Sequence, residues 1–556
     1  MKNRIKSISR KWILPVFIAL TFVGGAGYTA DNYFEVSKNL DIFASLIKEV
    51  NTYYVDEVDA SDLVRTGIDA MLKTLDPYTN YISESEIEDY RFMTTGEYGG
   101  IGAVISTAGK DVLIVEPYDG YSAVKAGLRA GDKILEIDGK DMTGKNTQEV
   151  SALLKGQPGT VLELKILRPG NDEPFISKVT REEIKLNNVP YYGMVNEQVG
   201  YIQFRSFRQN AAKEVKSALS ELKKNPGLES IILDVRGNPG GLLNEAVNTV
   251  NLFIPKGKSV VSTKGRIKEW VKDYKTMYSP VDTDIPLIVL TNGTSASASE
   301  IVSGAVQDHD RGIIIGQQTY GKGLVQTTRP LSYNAQLKIT TAKYYIPSGR
   351  CIQRIDYSSR DGLGKAGKIP DSLITEYKTL GGRSVYDGCG ITPDIETDVT
   401  QHAEITKTLL NKRYIFDFAT KYRNTHDSIP PVKDFQLTLQ DFEDFIAFIS
   451  DKDYQYETNT EKALEKLKES AETEKYYEAI SSDYESMLQK LKHDKEEDLR
   501  KHQEEVIALL EEEIVSRYYY RNGRIQVSLR TDTDVREALE VFENPQEFKG
   551  ILTLAE

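Results

Sequence analysis

Cysteine, histidine and clustered positive charge are what this chain has little of. Its 556 residues include two cysteines, Cys351 and Cys389, and five histidines. Two cysteines allow one disulfide at most. Both flank a loop-rich insertion between strand-like segments, so an oxidising compartment would let them pair, and two unpaired buried thiols fit the sequence as well. His402, His426, His493 and His502 show no metal-ligand spacing, so no metal and no other cofactor is expected. The net charge is −13 and the isoelectric point near 5.2. No basic face gathers anywhere, which excludes a nucleic-acid partner. A hydrophobic content of 40% supports real cores and excludes wholesale disorder. The length suits about three or four domains.

What is present begins with an address. Lys2, Arg4, Lys6, Arg10 and Lys11 precede an uncharged, apolar run over residues 12–30, the pattern of a signal peptide or membrane anchor. The apolar stretch would span roughly 27 Å, just enough for a bilayer core. With the positive flank held in the cytoplasm, everything after it is expected to be exported, to the periplasmic side of a bacterial inner membrane. The N-terminal segment would then be its contact with the membrane.

Residues 31–90 form an N-terminal helical subdomain, with Phe43, Leu46, Ile47 and Val50 at the spacing of one helix face. Residues 91–172 change to strand-like runs between glycine turns, with one helix predicted at 147–154. Residues 185–400 alternate strand and helix, an α/β core. Residues 401–556 are helical; Phe442, Phe445, Ile446 and Ile449 mark a face, and a Glu/Lys/Leu/Ala-rich stretch follows. Such a charged stretch reads as a solvated packing or interaction domain, a place for an adaptor or oligomer contact, without a catalytic role.

Chemistry concentrates in the core. Ser297 follows a buried-strand run at 285–290 and precedes an alanine-rich helical stretch. A serine hydroxyl needs an adjacent base, and Lys322, in Tyr320-Gly321-Lys322-Gly323, serves if burial leaves its amine neutral. The helix predicted from Ala298 places free amides and a positive dipole end beside Ser297. Asp234-Val235-Arg236-Gly237-Asn238-Pro239-Gly240-Gly241 offers a glycine backbone able to approach a carbonyl. Taken singly, each feature also fits a plain helix cap, a turn or a surface lysine. If 322–326 is extended, Lys322 and Gln326 share one strand face.

Taken jointly, Asp234 to Gly241, Ser295-Ala296-Ser297-Ala298-Ser299-Glu300 and Thr319 to Gln326 stand in the order and spacing of the C-terminal processing peptidases, or tail-specific proteases, which the chain resembles from about residue 35 to 400. The segments Gly99-Gly100-Ile101-Gly102-Ala103, Ser122 to Leu128 and Gly131 to Gly139 likewise resemble a PDZ domain. The family resemblance implies a helical N-terminal piece, a PDZ domain and a Ser-Lys peptidase core wound as a crotonase-like spiral; with the helical C-terminal extension read from composition, the chain is expected to be a multidomain α/β and β protein, and the length after residue 400 departs from the compact members of the family. It implies Ser297 as nucleophile, Lys322 as general base, Gln326 as its orienting residue and the amides of Gly240 and Ala298 as oxyanion hole. The PDZ domain would take the apolar C-terminal tail of a protein substrate, its carboxylate on Gly99, Gly100, Ile101 and Gly102 and its last side chain against Val150 and Leu154.

Two other chemistries fail on their spacing. Gly316 to Lys322 fits most of a phosphate-binding loop, yet Gly323 replaces the required Ser or Thr and a strand-like run follows instead of a helix. His309 lies at the far end of the helix that Ser297 opens, roughly 18 Å away, too far for a Ser-His pair; it is expected to meet terminal carbonyls there. A competing class remains: a catalytically silent PDZ adaptor at the membrane surface, since a fold does not guarantee its activity.

Overall fold

The computed structural model describes residues 34–553 apart from 363, 400, 455 and 492–494. The expected signal or anchor at 1–30 therefore lies outside the described residues. Among the described residues, no helix is long and apolar enough to cross a membrane. The described chain divides into two compact units, one of residues 34–84 together with 326–340 and one of the other described residues.

In the first unit a helix covers 34–53 and a second runs Ala60–Lys73, its N-terminus capped by the Asp59 carboxylate, which accepts the Ser61 and Asp62 amides. The short strand Asn80–Ile82 pairs antiparallel with the segment from Gln336 to Lys338. Phe43 and Leu46, expected on a packing face, are 42% and 55% exposed. Ile47 and Val50 of the same face are half-buried, and the Phe43 ring lies beside Gly67 of the second helix, so the face is partly covered within this unit.

In the second unit, the core is a six-stranded sheet in the order Tyr191–Met194, Val199–Gln203, Ser230–Asp234, Leu287–Thr291, Ile313–Gly316, Ile395–Glu396. Its first pair is antiparallel and the rest parallel. The central strands are buried along their whole length because both faces are covered. Alternate residues explain how. Ile231, Leu233, Leu287, Val289 and Ile314 face the helices Ala211–Leu222, Leu243–Val250 and Ala298–Asp308. Their neighbours Ile232, Ile288, Leu290, Ile313 and Ile315 pack against Ile525, Val535, Ala538 and Val541.

Those last four belong to the C-terminal helices. The region read as a solvated packing or interaction domain divides in two: a core of its own, containing Phe418, Phe442, Phe445, Ile446 and Ile449, and a terminal part that forms the second layer of the peptidase sheet. The long helix Gln503–Ser528 joins them, with a backbone break at Tyr520 (φ 53°, ψ −151°).

The block at 91–172 forms a separate antiparallel sheet in the order Ala103–Ala108, Asp111–Pro117, Lys133–Ile137, Val161–Leu167, Phe175–Thr180. The helix Thr147–Leu154 is capped reciprocally by Asn146 and Glu149. Among the described residues Ala103–Ala108 is an edge strand, open to addition of another strand. The sheet extends past residue 172 to Thr180, and Leu186 N–H donates to the Gly96 carbonyl at 3.0 Å, so the block begins and ends at one point.

The insertion after the core strands is held by buried ion pairs, Arg350 on Asp308 at 2.9 Å and Arg383 on Asp310 and Asp394. Cys351 and Cys389 are both unpaired thiols, so the disulfide is not formed. Cys351 bridges Tyr345 through its backbone, while the Cys389 sulfur turns into its own loop towards the Tyr386 carbonyl and the Thr392 hydroxyl.

Candidate active site

Ser297 stands between the strand Leu287–Thr291 and the helix Ala298–Asp308 at φ 56°, ψ −112°. For a non-glycine residue this backbone is costly, on the order of 1–3 kcal/mol, and persists only where neighbours enforce it. Three enforcers are visible. Ala296 N–H donates to the Asn238 carbonyl at 3.0 Å, the Ser299 hydroxyl donates to the same carbonyl at 2.9 Å, and Ser297 N–H donates to Glu300 Oε2 at 2.7 Å.

Glu300 does more than close the helix start. Fully buried, it accepts Ser297 N–H and Lys322 N–H on Oε2, and Gly321 N–H and the Thr319 hydroxyl on Oε1, at 2.6–2.9 Å. The backbones of Ser297 and Lys322 thereby converge on one oxygen atom. Burial pushes this carboxyl above its ordinary range, opposed by the four donors. Four hydrogens pointing at two oxygens suit an ionised acceptor, and a buried one is held rigidly.

Lys322 is half-buried. Its carbonyl accepts the Tyr344 hydroxyl, and Gly323 N–H donates to Gln353 Oε1 at 2.7 Å. Gly321 has φ 85°, and a Cβ there would lie 2.4 Å from that of Arg354, so the residue before the lysine has to be glycine. The strand expected over 322–326 starts at Leu324, so Lys322 precedes it. Gln326 belongs to the first unit, where its Nε2 donates to Thr340 Oγ1 at 3.2 Å.

The glycine turn lies against Ser297. Gly240 has φ 97°, and a Cβ on it would sit 2.8 Å from Ser297 Cβ and 2.9 Å from Ala298 N. Ala298 is the first residue of its helix, where an amide has no acceptor within the helix. Gly240 N–H donates to Asn238 Oδ1 at 2.9 Å. Asn238, wholly buried, anchors to the Phe204 carbonyl through Nδ2 at 2.9 Å, so one amide side chain ties the turn to the sheet.

Upstream, Arg236 N–H, Nε and Nη2 all donate to Asp234 at 2.8–3.0 Å, and the Tyr201 hydroxyl donates to the same carboxylate at 2.5 Å. Burial alone would raise Asp234; Arg236 outweighs it and holds the carboxyl below its usual range. Burial likewise opposes the Arg236 charge, and Asp234 and Asp532 overcome it.

His309, expected on its own helix carbonyls, instead meets the Ser259 carbonyl through Nε2 at 2.7 Å. Among the described residues no His, Cys, Asp or Glu group is arranged to hold a metal.

In the PDZ block the glycine segment is split. Gly99 and Gly100 lie in a strand, Glu97–Gly100, paired with Glu182 and Glu183. Ile101 and Gly102 form the turn into the edge strand, their carbonyls accepting Ala123 N–H and Tyr118 N–H. Ile101, Val150 and Leu154 are buried in the block's own core.

No catalytic pattern in the sequence singles out Asn238 or Glu300. Glu300 left a trace, the Ser-x-x-Glu pattern of a reciprocal helix cap; Asn238 left none beyond its place in a glycine-rich turn.

Three family models match parts of this chain. The model for "Peptidase family S41" matches residues 198–359, a PDZ domain matches 113–168, and "Probable PDZ-protease, C-terminal helical domain" matches 405–542. A carboxy-terminal-processing protease of Bartonella bacilliformis is 38% identical over 62% of this chain and 80% of its own. A probable CtpA-like serine protease of Staphylococcus haemolyticus is 36% identical over 59% of this chain and 64% of its own. Among solved structures, the photosystem II D1 C-terminal processing protease is 27% identical, covering 64% of this chain and 92% of that one with a TM-score of 0.35. The chain belongs to the carboxy-terminal-processing serine proteases of peptidase family S41.

Proposed function

We propose that this serine peptidase is exported, and cleaves proteins near their C-termini through an acyl-enzyme on Ser297, with Lys322 as general base. The Ser297 hydroxyl oxygen adds to the scissile carbonyl carbon while its proton passes to the neutral Lys322 amine. The resulting ammonium returns that proton to the departing amine nitrogen, and water repeats the sequence to release the acyl group. The amide of Ala298 receives the developing oxyanion, joined by that of Gly240 once it leaves Asn238.

The observation that carries this reading is the Glu300 carboxylate, which gathers the backbones of Ser297 and Lys322. The open edge strand at 103–108 supports capture of a substrate's apolar tail by strand addition beside Ile101, with the carboxylate at the Gly99–Gly102 segment. Val150 and Leu154 must part to admit its last side chain. The basic flank and apolar run at 1–30 support attachment to, or passage across, the bacterial inner membrane, with the active site on the periplasmic side. The C-terminal helices are assigned as a contact for a further protein or a second copy.

The test is an unfolded reporter protein with an apolar or a charged C-terminus. Wild type should cleave the apolar-tailed form, and Ser297→Ala and Lys322→Ala should each lower turnover more than about a thousandfold. Cleavage by purified Ser297→Ala would remove the nucleophile, and near-native turnover of Lys322→Ala would remove the base.

A further inference from the structure

The C-terminal domain reaches the catalytic turn through Arg236. Arg236 has five N–H donors, and all five are used. Nε and one Nη2 hydrogen go to Asp234. The remaining three go to the start of the helix Thr533–Glu543: Nη1 to Asp532 Oδ1 at 2.9 Å and to Asp534 Oδ2 at 2.8 Å, and Nη2 to Asp532 Oδ2 at 2.7 Å. Asp534 also accepts the Thr397 hydroxyl at 2.6 Å, and Asp532 caps its own helix through Val535 N–H.

From Arg236 the fixation continues along the turn. Its carbonyl accepts Arg205 Nη1, Gly237 N–H donates to Asn292 Oδ1 at 3.0 Å, Asn238 binds Ala296 and Ser299, and Gly240 packs on Ser297. We infer that Asp532 and Asp534 are positioning residues for the peptidase reaction: the C-terminal helical domain sets, through Arg236, where the Gly237–Gly241 turn stands relative to Ser297. The inference rests on the assignment of Ser297 and the turn proposed above.

Two features favour positioning over plain attachment. The helix already has an apolar attachment through Val535, Ala538 and Val541, which holds without fixing direction. A forked guanidinium gripped by carboxylates on several sides is fixed in direction. Three carboxylates around one guanidinium also leave surplus negative charge at a nearly buried place, which stability alone does not favour.

The experiment uses the full chain in detergent micelles and the apolar-tailed reporter, reading kcat and KM separately. Asp532→Asn with Asp534→Asn keeps size and the helix cap but removes both charges. It should lower kcat tenfold or more with KM within twofold. Val541→Ala loosens the same helix away from Arg236 and should lower the melting temperature while keeping kcat within twofold.

A double variant with kcat within twofold of wild type overturns the inference. So does a Val541→Ala chain that loses kcat equally, because packing would then suffice. If the double variant does not fold, Asp534→Asn alone is judged by the same limits. Ser297→Ala run alongside keeps the two claims apart: Ser297-dependent cleavage that ignores the aspartates sinks only this inference, while wild type without such cleavage sinks both.

Discussion

The PDZ block and the C-terminal helices both flank the peptidase core, and they are joined to it in opposite ways. The PDZ block keeps its apolar side chains to itself: Ile101, Val112, Ile114, Val150, Leu154 and Leu164 form a closed cluster, and its ends meet at Gly96 and Leu186. The C-terminal domain gives Ile525, Val535, Ala538 and Val541 to a cluster whose other half is the peptidase sheet. One is an inserted module, and the other is half of the catalytic fold. The lesson is that a recognisable motif marks a separable part, whereas an unremarkable amphipathic helix can be the inseparable one.

The sharpest way to break this contrast is to cut the chain after Asp398. Val199, Tyr201, Ile232, Ile288, Leu290, Ile313 and Ile315 would lose their cover. At about 1.5–3 kcal/mol per large side chain, that loss exceeds about 10 kcal/mol, comparable to the whole stability of an ordinary domain. The truncated chain should yield no cooperative unfolding transition by circular dichroism. A folded, active truncation would make the C-terminal domain another module.

The next effect arises inside the core, with both neighbours still docked. Glu300→Gln places an NH₂ group against backbone N–H donors that now point at a carboxylate. At least one buried donor loses its acceptor, a penalty of about 1–3 kcal/mol, more for a lost charge-assisted bond. Activity should fall about a hundredfold or more, while PDZ binding of a tail peptide stays unchanged. Wild-type turnover in this variant would show that the convergence of Ser297 and Lys322 does not depend on the charge.

How much of this was legible in the sequence follows the same division. Ser297, Lys322 and the glycine turn announced themselves through short spacings and residue types with few other uses, and the buried strands through unbroken apolar runs. Asp532 and Asp534 lie 296 and 298 positions from Arg236, a distance no periodicity bridges. Val150 and Leu154 were readable as an apolar helix face, but the same face serves a core and a ligand, so pattern alone does not separate them. Cys351 and Cys389 sit in neighbouring loops, Gly388 N–H bonding the Cys351 carbonyl, and the direction of each sulfur is a rotamer that spacing does not encode.

Excising the PDZ block is the milder counterpart of the truncation. Replacing 97–185 with a few glycines respects the 3.0 Å bond between Leu186 and Gly96 and removes mainly polar contacts, such as Asn424 Nδ2 on the Pro169 carbonyl and Arg524 beside Glu116. The remaining protein should stay folded, its melting temperature lower by only a few degrees, and should cleave apolar- and charged-tailed reporters at similar rates. Collapse of the core on excision would erase the distinction between the two neighbours.

The smallest effect is one of sign. In the PDZ block, Asp141 and Glu149 are held below the ordinary carboxyl range by hydrogen bonds from Thr143 and from the Asn146 amide. Depressed groups stabilise above their unfolded values and lose that contribution as pH falls through the folded ones. Glu512 in the C-terminal domain behaves oppositely: burial pushes it up to about 7, against the pull of Arg524 and with the help of Glu513 and Asp532. Its contribution is complete below the ordinary glutamate value and is lost as pH rises through about 7, a change of at most about 3 kcal/mol. Between pH 5 and 8 the C-terminal domain should therefore lose a few degrees of melting temperature while the PDZ block, excised and measured alone, stays level. Glu512→Gln should flatten the first profile and leave the second untouched; a slope that survives the substitution would place the titrating group elsewhere in the domain.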